Sequence, residues 1–524
     1  NQLVMQKRNF KKYFKKKKES ALIMRKQTKL VAVLSAAALL AIGASMTSFA
    51  ATGWQEENGA WVYYDRNGDQ VTDQWAKSGN NWFYLNSDGE MATDELIDDG
   101  TNYYYVDSNG AMVANQWVAV ANENAGEEDE PESYWYYFQN SGKAYKAGSS
   151  GATSFKTING KKYAFQDDAK MLYGWINDSA SRETGDTAWQ NGTYFCGDEN
   201  DGAQGTGWAK ISVVDTENED SEDQDYWFYF NPSNGKKTTD NASKSINGKK
   251  YAFNDYGVMQ SEWYWYDASA SDATSSIAGY HYYNEPDQGW RLQKGWTKVV
   301  PQEDVNNTAY NDESTKWFYA ENNGDLVANK LKTINGKKYA FNAKGEMLSG
   351  LWLVKAKSSG EFVNAPVEVE NADVIDKIKE NTYPAGDGWD VYYFGSGDDG
   401  AAKTGNQTID VDGDTYSYTF GTTGSSKFKG LDGVNKNTTL YVQGLKIKAE
   451  TDYRYQAFTP MGVATVPTVA PDKNTQSEQN LYLINASGSL MKNKTNIKDS
   501  DDNYYCTNAA GKVTYYSQDK YEKK

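Results

Sequence analysis

Aromatic side chains recur at a fixed step near the start of the sequence. Two series of positions each repeat every 21 residues: Trp54, Trp75, Leu96 and Trp117, and Trp61, Trp82 and Tyr103. Aromatic ring faces attract cations, and a quaternary ammonium, which cannot donate hydrogen bonds, is bound by ring faces at about 0.5–2 kcal/mol per contact. Three rings around one cation would form a binding cage. The same rings can also simply pack repeat against repeat, which is the alternative for any single tryptophan.

A longer repeat contains the shorter one. The segment 157–165 (TINGKKYAF) returns at 245–253 and at 333–341, each copy 88 residues after the last. Units of a fixed period bury their apolar faces against their neighbours, so ligand sites are expected between repeats. The chain is therefore predicted to form one elongated array of repeats.

Each repeat is predicted to contain a β-hairpin. Residues 61–64 (WVYY) form a β-prone run, Asn67-Gly68 is a turn signal, and residues 69–72 are predicted to return as the second strand. One hairpin alone is marginal in water, so each must stack on the next. Methionines are placed to fill the gaps in that stack: Met91, Met112, Met171, Met259 and Met347. The predicted fold class is all-β.

The period weakens after residue 352. The predicted organisation is repeats over 51–352, degenerate repeats with an insertion over 353–456, an irregular Pro-containing linker over 457–480, and a terminal repeat or cap over 481–524. A helical stretch is predicted at 374–380.

The first 50 residues are typical of a leader followed by a secretory signal peptide, with an apolar run over 30–41 and a small-x-small cleavage pattern at 48–50. They hold 11 of the 54 basic and 1 of the 71 acidic side chains, so the remaining chain has 43 basic and 70 acidic groups, a formal charge of −27. Such a surface repels nucleic acid. The sequence shows neither a second apolar run that could span a membrane nor a terminal anchor, so we expect a secreted protein held non-covalently at a surface.

Catalytic and metal chemistry find little support. His281 is the sole histidine and lies within an aromatic strand, where packing is the ordinary explanation. Residues 410–414 and 198–202 are interpreted as hairpin turns and not as calcium loops. No catalytic residue, metal or cofactor is predicted, although 353–480 leaves room for an enzyme as a third class of function.

The two cysteines occupy equivalent places in distant repeats. Cys196 follows Thr-Tyr-Phe, and Cys506 follows Asn-Tyr-Tyr. In an elongated array they would lie far beyond the roughly 6 Å between Cα atoms that a disulfide requires. They are predicted to be unpaired.

The succession Gly-Trp, Gly-x-Trp-x-Tyr and Asn-Gly-x-Met, repeated every 21 residues and clearest over 54–352, resembles the choline-binding or cell-wall-binding repeat family. Residues 158–163 are similar to its relatives in clostridial toxins and glucan-binding enzymes. The resemblance implies a solenoid of β-hairpins wound as a superhelix, with choline in aromatic cages between consecutive hairpins. It also implies a Gram-positive cell wall or cell surface, with choline-bearing teichoic acid or a wall or extracellular polysaccharide as the partner.

Cage residues follow from the resemblance. The best preserved cage would use Trp61 with Trp75 and with Trp82 or Tyr84, whereas the next lacks a wall because Leu96 stands where tryptophan is expected. A further cage would use Tyr103, Trp117, Trp135 and Tyr137, and other possible contributors are Trp208, Trp227, Trp296 and Trp317.

Three hairpins carry lysine in the tryptophan place: Lys162, Lys250 and Lys338. An ammonium wall would repel choline, so these hairpins are predicted to be structural or suited to a neutral sugar or an anionic group.

The favoured hypothesis is a secreted, non-catalytic wall-binding protein. One alternative is an adhesin or scaffold whose acidic loops at 127–132, 215–225 and 301–314 bind a protein partner, and another is a glucan-binding surface protein.

Overall fold

A computed structural model describes residues 52–127, 129–215, 223–266, 277–380 and 388–524. The described chain is built almost entirely of β-strands and turns, so the all-β prediction is confirmed. It divides into two compact units, one ending at Asn241 with 253–259 added, the other formed by 242–252 and 260–524. The predicted leader and signal peptide (1–50) lie outside the described residues.

The first unit is a succession of two-stranded antiparallel hairpins in which each strand pairs with its neighbour in sequence. Its strands are β1 (Gly53–Glu57), β2 (Ala60–Tyr64), β3 (Gln74–Ser78), β4 (Asn81–Leu85), β5 (Glu95–Asp98), β6 (Tyr103–Val106), β7 (Gln116–Ala121), β8 (Ser133–Phe138), β9 (Lys156–Ile158), β10 (Lys161–Tyr163), β11 (Gly174–Ile176), β12 (Tyr194–Cys196), β13 (Gly207–Val214) and β14 (Asp223–Phe230). A short helix, α1 (Ala188–Asn191), lies between β11 and β12.

The hairpin turn differs from the prediction. β1 pairs with β2 around Asn58-Gly59, whose φ angles of 54° and 88° are both positive. Positive φ at both central residues is typical of a type I′ turn, which matches the twist of the paired strands. The prediction of a return strand at 69–72 is wrong. This segment forms no strand, and Gln70 makes only an isolated β-bridge, to Tyr64.

Strand β2 pairs with β1, and not with residues 69–72, because β1 carries an aromatic ring that packs against β2. Trp54 lies opposite Tyr63 with ring centroids 5.2 Å apart, and it also contacts Phe83 of the next hairpin at 5.2 Å. Residues 69–72 (Asp-Gln-Val-Thr) contain no aromatic ring. Packing of cross-strand pairs therefore outweighs the Asn-Gly turn signal.

Successive hairpins are joined by one recurring hydrogen bond. The donor lies just after the turn that follows the second strand of a hairpin. Its backbone N–H donates to the carbonyl of a ring residue on the second strand of the preceding hairpin. The methionine examples are Met91 to Trp61 (2.7 Å), Met112 to Trp82 (2.7 Å), Met171 to Trp135 (2.8 Å), Met259 to Trp227 (2.8 Å) and Met347 to Trp317 (2.9 Å).

The methionine side chains fill the space beneath the next turn, as predicted. A Cβ added to Gly110 would lie 2.7 Å from Sδ of Met91, and one added to Gly142 would lie 2.5 Å from Sδ of Met112. Both glycines also have positive φ, 75° and 80°. Glycine is therefore required there for two reasons, backbone conformation and space.

The second unit begins with hairpins and then changes character. Four hairpins are followed by a three-stranded sheet (order β24-β23-β25), a five-stranded sheet (β26-β27-β30-β29-β28), the pair β31-β32 and a three-stranded sheet (β33-β34-β35). The strands are β15 (Asn241–Ile246), β16 (Lys249–Phe253), β17 (Glu262–Trp265), β18 (Tyr280–Tyr283), β19 (Gly295–Val299), β20 (Lys316–Ala320), β21 (Lys330–Ile334), β22 (Lys337–Phe341), β23 (Leu351–Val354), β24 (Val367–Glu368), β25 (Asp390–Tyr393), β26 (Gly405–Val411), β27 (Asp414–Phe420), β28 (Gly433–Asn435), β29 (Thr439–Val442), β30 (Leu445–Lys446), β31 (Tyr455–Phe458), β32 (Tyr482–Asn485), β33 (Ile497–Lys498), β34 (Tyr504–Thr507) and β35 (Val513–Ser517).

Helices α2 (Asn307–Asn311) and α3 (Ala372–Lys379) belong to the second unit, as do 3₁₀ turns at Ile277–Gly279 and Gly424–Ser426. Helix α3 confirms the helical stretch predicted from the sequence. The side chain of Asn371 caps it by accepting from the N–H of Val374 at 3.1 Å. Ile375 and Ile378 bury its apolar face in the main core cluster of this unit.

Several smaller expectations are also settled. Residues 412–413 form the turn between β26 and β27, and Asp198 bridges Asp201, so both acidic segments are turns as predicted. Cys196 and Cys506 are free and buried. None of the described helices has the length and apolar character that a membrane crossing requires.

The acidic loops are only partly described. Residues 128 and 216–222 lie outside the described residues, so the loops at 127–132 and 215–225 remain predictions. The loop at 301–314 contains α2 and buries Val305 and Ala309, while Tyr310 is 46% exposed. This loop therefore packs on its own hairpin and does not simply project from it.

Candidate ligand-binding site

The tryptophans on the first strands lie between hairpins. Trp75 pairs with Tyr84 across its hairpin, with ring centroids 5.2 Å apart, and contacts Tyr104 of the next hairpin at 5.1 Å. Comparable edge-to-face contacts recur in three further hairpins: Trp117 with Tyr137 (5.2 Å) and Tyr163 (4.8 Å), Trp208 with Tyr229 (5.1 Å), and Trp296 with Tyr319 (5.0 Å) and Tyr339 (4.8 Å). Such pairs contribute about 0.5–1.5 kcal/mol beyond the area they bury. These four tryptophans pack hairpin against hairpin.

Of the predicted rings on the second strands, one is exposed. Trp82 is 40% exposed. The other predicted rings at this place are half-buried: Trp61, Tyr103, Trp135, Trp227 and Trp317. The packing tryptophans are half-buried as well, so among these rings Trp82 is the one that a ligand from solvent can reach most readily.

The predicted cage of Trp61, Trp75, Trp82 and Tyr84 is only partly assembled by ring contacts. Of the described rings, Tyr84 and Tyr104 contact Trp75, whereas Trp61 and Trp82 do not. Trp82 instead lies opposite Lys77 in the strand register, and the Lys77 ammonium is 5.7 Å from its ring centroid. The exposed ring of Trp82 is therefore already beside a cation of the chain.

The second predicted cage divides between two clusters. Trp117, Trp135 and Tyr137 share one cluster, in which the hydroxyl of buried Tyr137 donates to Oδ1 of Asn115 at 3.0 Å. Tyr103 belongs to a different cluster together with Leu96. The structure brings the first three residues into one cluster, and the cage with Tyr103 stays a prediction.

Two predicted pairs form ring corners of the same geometry. Trp208 and Trp227 have centroids 6.2 Å apart at 87°, and Trp296 and Trp317 repeat both values. At the second corner, Nε1 of Trp317 donates to Oδ1 of Asp398 at 3.1 Å. That carboxylate also pairs with the Lys298 ammonium at 2.8 Å, which lies 5.9 Å from the Trp317 ring.

The hairpins at the start of the described chain match a known repeat. The model of the choline-binding repeat matches residues 51–86 and 74–117. Residues 51–117 are thus similar to choline-binding repeats. The resemblance noted from the sequence is thereby confirmed.

Individual relatives extend the similarity beyond these repeats. Glucosyltransferase-S of Streptococcus mutans serotype c is 25% identical over 217 residues, which are 41% of this chain and 11% of that protein. The chain thus spans about a tenth of the length of this curated relative.

Solved structures of choline-binding proteins from Streptococcus pneumoniae are also similar. CbpJ is 18% identical, with 68% of this chain and 99% of CbpJ covered at a TM-score of 0.36. CbpF, solved in the presence of a peptidoglycan analogue, is 18% identical with 74% and 100% covered at a TM-score of 0.31. The choline-binding domain of CbpL is 22% identical with 46% and 98% covered at a TM-score of 0.28.

The three lysines predicted to replace a tryptophan lie outside the matched repeats, and their side chains differ in exposure. Lys162 is exposed and Lys250 half-buried. Lys338 is half-buried with its ammonium 5.8 Å from the ring of Phe428. Burial, and then the neighbouring Lys429 and Lys427, lower the pKa of Lys338. These positions present positive charge where the choline-binding repeats present a ring.

His281 forms a network that the sequence did not reveal. It is 3% exposed and stacks on Tyr266 at 3.6 Å between centroids. Its Nε2 lies 3.1 Å from Oδ1 of Asp325, and its Nδ1 lies 3.3 Å from Nη1 of Arg291. Since Arg291 can only donate, Nδ1 accepts and Nε2 carries the proton. Burial lowers the pKa of His281, and a packed role, as predicted, accounts for the residue.

The signal that could have revealed this network is Arg291 itself. Its N–H donates to the carbonyl of Lys250 at 2.7 Å, the bond that methionines make in other repeats. A charged residue in a gap-filling place needs buried partners. His281 supplies one of them.

Proposed function

We propose that this protein is a secreted, non-catalytic wall-binding protein that grips choline on wall polymers through rings on its choline-binding repeats. The observation that carries the proposal is the 40% exposed ring of Trp82 within the matched segment. A quaternary ammonium gains most from such ring faces because water cannot hydrogen-bond to it strongly. The location would be the cell wall or surface of a Gram-positive bacterium.

Trp82 is the first ring to test, with Trp61 as its neighbour. The ammonium of Lys77 lies near the Trp82 ring, so choline would compete with this side chain for the ring face. Trp75, in contrast, contacts Tyr84 and Tyr104, and its removal would disturb hairpin packing. The remaining predicted rings, Trp135, Trp227 and Trp317 among them, stay proposals of lower rank.

The non-catalytic part of the proposal rests on the environment of His281. Both of its ring nitrogens face fixed partners, Asp325 and Arg291, inside the hairpin stack. A histidine general base needs its unprotonated nitrogen within reach of the substrate proton, and here that nitrogen accepts from buried Arg291. The relative named a glucosyltransferase makes turnover of a glycan the direct check.

The test is equilibrium binding of choline to the chain from residue 51 onward, followed by tryptophan fluorescence and calorimetry. Trp82→Ala should weaken choline binding about fivefold, since one ring contact contributes about 1 kcal/mol. Tyr310→Ala removes a 46% exposed aromatic residue from the loop at 301–314 and should leave binding unchanged. Saturable choline binding that Trp82→Ala does not alter would contradict the site.

Glucan is the second ligand to test, because the curated relative is named a glucosyltransferase. Dextran in place of choline, with the same two variants, separates the two ligands. Binding of dextran but not choline would favour the glucan-binding alternative. The adhesin alternative stays a prediction.

A further inference from the structure

Lys237 stands where other hairpins place a methionine. It bridges Phe230 in the same way that Met259 bridges Phe253 and Met347 bridges Phe341. Its N–H donates to the carbonyl of Thr193 at 2.7 Å, which is the hydrogen bond that joins hairpins elsewhere. A lysine at a position where methionine otherwise fills the space between hairpins places its ammonium group between the hairpins.

The ammonium of Lys237 is surrounded by rings and carbonyls. Its Nζ lies 5.2 Å from the ring centroid of Trp175 and 6.0 Å from that of Phe228. The two rings meet edge to face, 5.2 Å apart at 70°. The same nitrogen donates to the carbonyls of Trp189 at 2.5 Å and Gln190 at 3.2 Å.

Helix α1 supplies those carbonyls for a geometric reason. The last carbonyls of a helix have no partner within it, and a four-residue helix leaves most of its carbonyls free. The N–H of Gly192 takes the carbonyl of Ala188, so those of Trp189 and Gln190 remain available to a donor. Two ring faces and two acceptors then converge on one nitrogen.

We propose that Trp175, Phe228 and the carbonyls of Trp189 and Gln190 form a binding site for a primary ammonium group, which Lys237 fills in the free protein. Once that side chain is shortened, the site should accept a small external alkylammonium. A primary ammonium can donate to both carbonyls, whereas a quaternary ammonium cannot. The site therefore differs in preference from the choline site proposed above and does not depend on it.

The charge state fits this occupant. Burial lowers the pKa of Lys237 to about 8. The side chain is thus still an ammonium at neutral pH. Cation–π attraction and charge-assisted hydrogen bonds stabilise that form within the site.

The test uses Lys237→Ala and the matched control Lys237→Met, which restores the residue found at this place in other hairpins. Unfolding midpoints are measured with methylammonium, tetramethylammonium or sodium chloride at equal ionic strength. Methylammonium should raise the midpoint of Lys237→Ala alone, increasingly with concentration. Lys237→Ala should bind methylammonium about tenfold more tightly than tetramethylammonium, because tetramethylammonium cannot make the two charge-assisted hydrogen bonds.

Equal effects of the two cations on Lys237→Ala, or equal effects of methylammonium on both variants, would overturn the proposal. In case Lys237→Ala does not fold without a ligand, refolding yield from urea is measured over the same salt series. A yield that rises with methylammonium but not with sodium supports the site, and a yield indifferent to the cation contradicts it. Choline binding to Trp82 is scored separately, so failure of one proposal leaves the other standing.

Discussion

The pair Trp175–Phe228 of the first unit has a counterpart in Trp263–Phe318 of the second. The ring centroids are 5.2 Å apart at 70° in one and 5.1 Å at 77° in the other. The first pair faces the ammonium of Lys237, whereas the second shares an apolar cluster with Leu326. The repeat spacing fixes how the rings meet, and the residue beneath the next turn decides what they surround.

The largest expected loss of stability comes from placing a lysine ammonium beside the Trp263–Phe318 pair. Leu326→Lys puts an ammonium among Ile277, Val305 and Phe318, and we expect a loss of about 3–5 kcal/mol in the free energy of unfolding. The reciprocal change, Lys237→Leu, removes a buried charge and should cost less than 1 kcal/mol or stabilise. Thermal and urea unfolding of the two variants compare them directly. Similar losses in both would contradict the distinction between the pairs.

The second effect is a pH dependence specific to the first pair. The pKa of Lys237 is lowered by burial to about 8 in the folded chain, against an ordinary value of 10.5. Between these two pH values the unfolded chain binds more protons, so the free energy of unfolding should rise with pH, by about 3 kcal/mol in total. Below pH 8 both states are protonated and this contribution stays constant. The measurement is the difference between wild type and Lys237→Met across pH 7–11, and a flat difference would show that Lys237 titrates normally.

A third effect concerns the turns that close over each pair. Gly257 and Gly345 have φ of 86° and 77°. A Cβ at Gly257 would meet the Lys237 side chain and the Thr238 carbonyl at 2.9 Å, whereas one at Gly345 would meet Ile277 at 3.1 Å. Alanine at either position costs about 1–2 kcal/mol for left-handed backbone. The loss should be larger for Gly257→Ala, by about 1 kcal/mol, and equal midpoints would show that the closure is no tighter there.

The smallest effect comes from an exposed cation beside a half-buried ring. Lys298 pairs with Asp398 beside Trp317, with side-chain exposures of 36% and 64%. Lys298→Ala should change the free energy of unfolding by less than about 1 kcal/mol, and less at high salt. Unfolding in 0.05 M and 1 M sodium chloride checks both points. A larger, salt-independent loss would place Lys298 with the buried cations.

Much of the hairpin architecture could be predicted from local patterns. The ring spacing, the methionines beneath the turns, and the helix near Val374 were all visible in the sequence. The position of the hairpin turn was not, because Asn58-Gly59 and Asn67-Gly68 are equally good turn signals. Cross-strand packing of Trp54 on Tyr63 decides between them. The five-stranded sheet over β26–β30 was missed because its residues do not follow the repeat.

The candidate site shows the same division. Spacing identified Trp75 and Trp82 alike, but it could not separate a ring wedged between hairpins from one 40% exposed. The sequence likewise identified lysines at Lys162, Lys250 and Lys338 as foreign to a cage. It passed over Lys237, whose significance depends on two helix carbonyls that lie 48 and 47 residues earlier.

The sequence by itself determined that this chain repeats, that its repeats are hairpins, and which positions hold rings, because those features depend on local period and turn chemistry. Only the tertiary structure decided which rings pack, which stay accessible and which enclose a cation of the chain itself. Those outcomes depend on contacts between groups that are distant in sequence, such as the rings and carbonyls that surround one nitrogen. Side chains such as Lys237 and Arg291 take their chemistry from the neighbours that folding supplies.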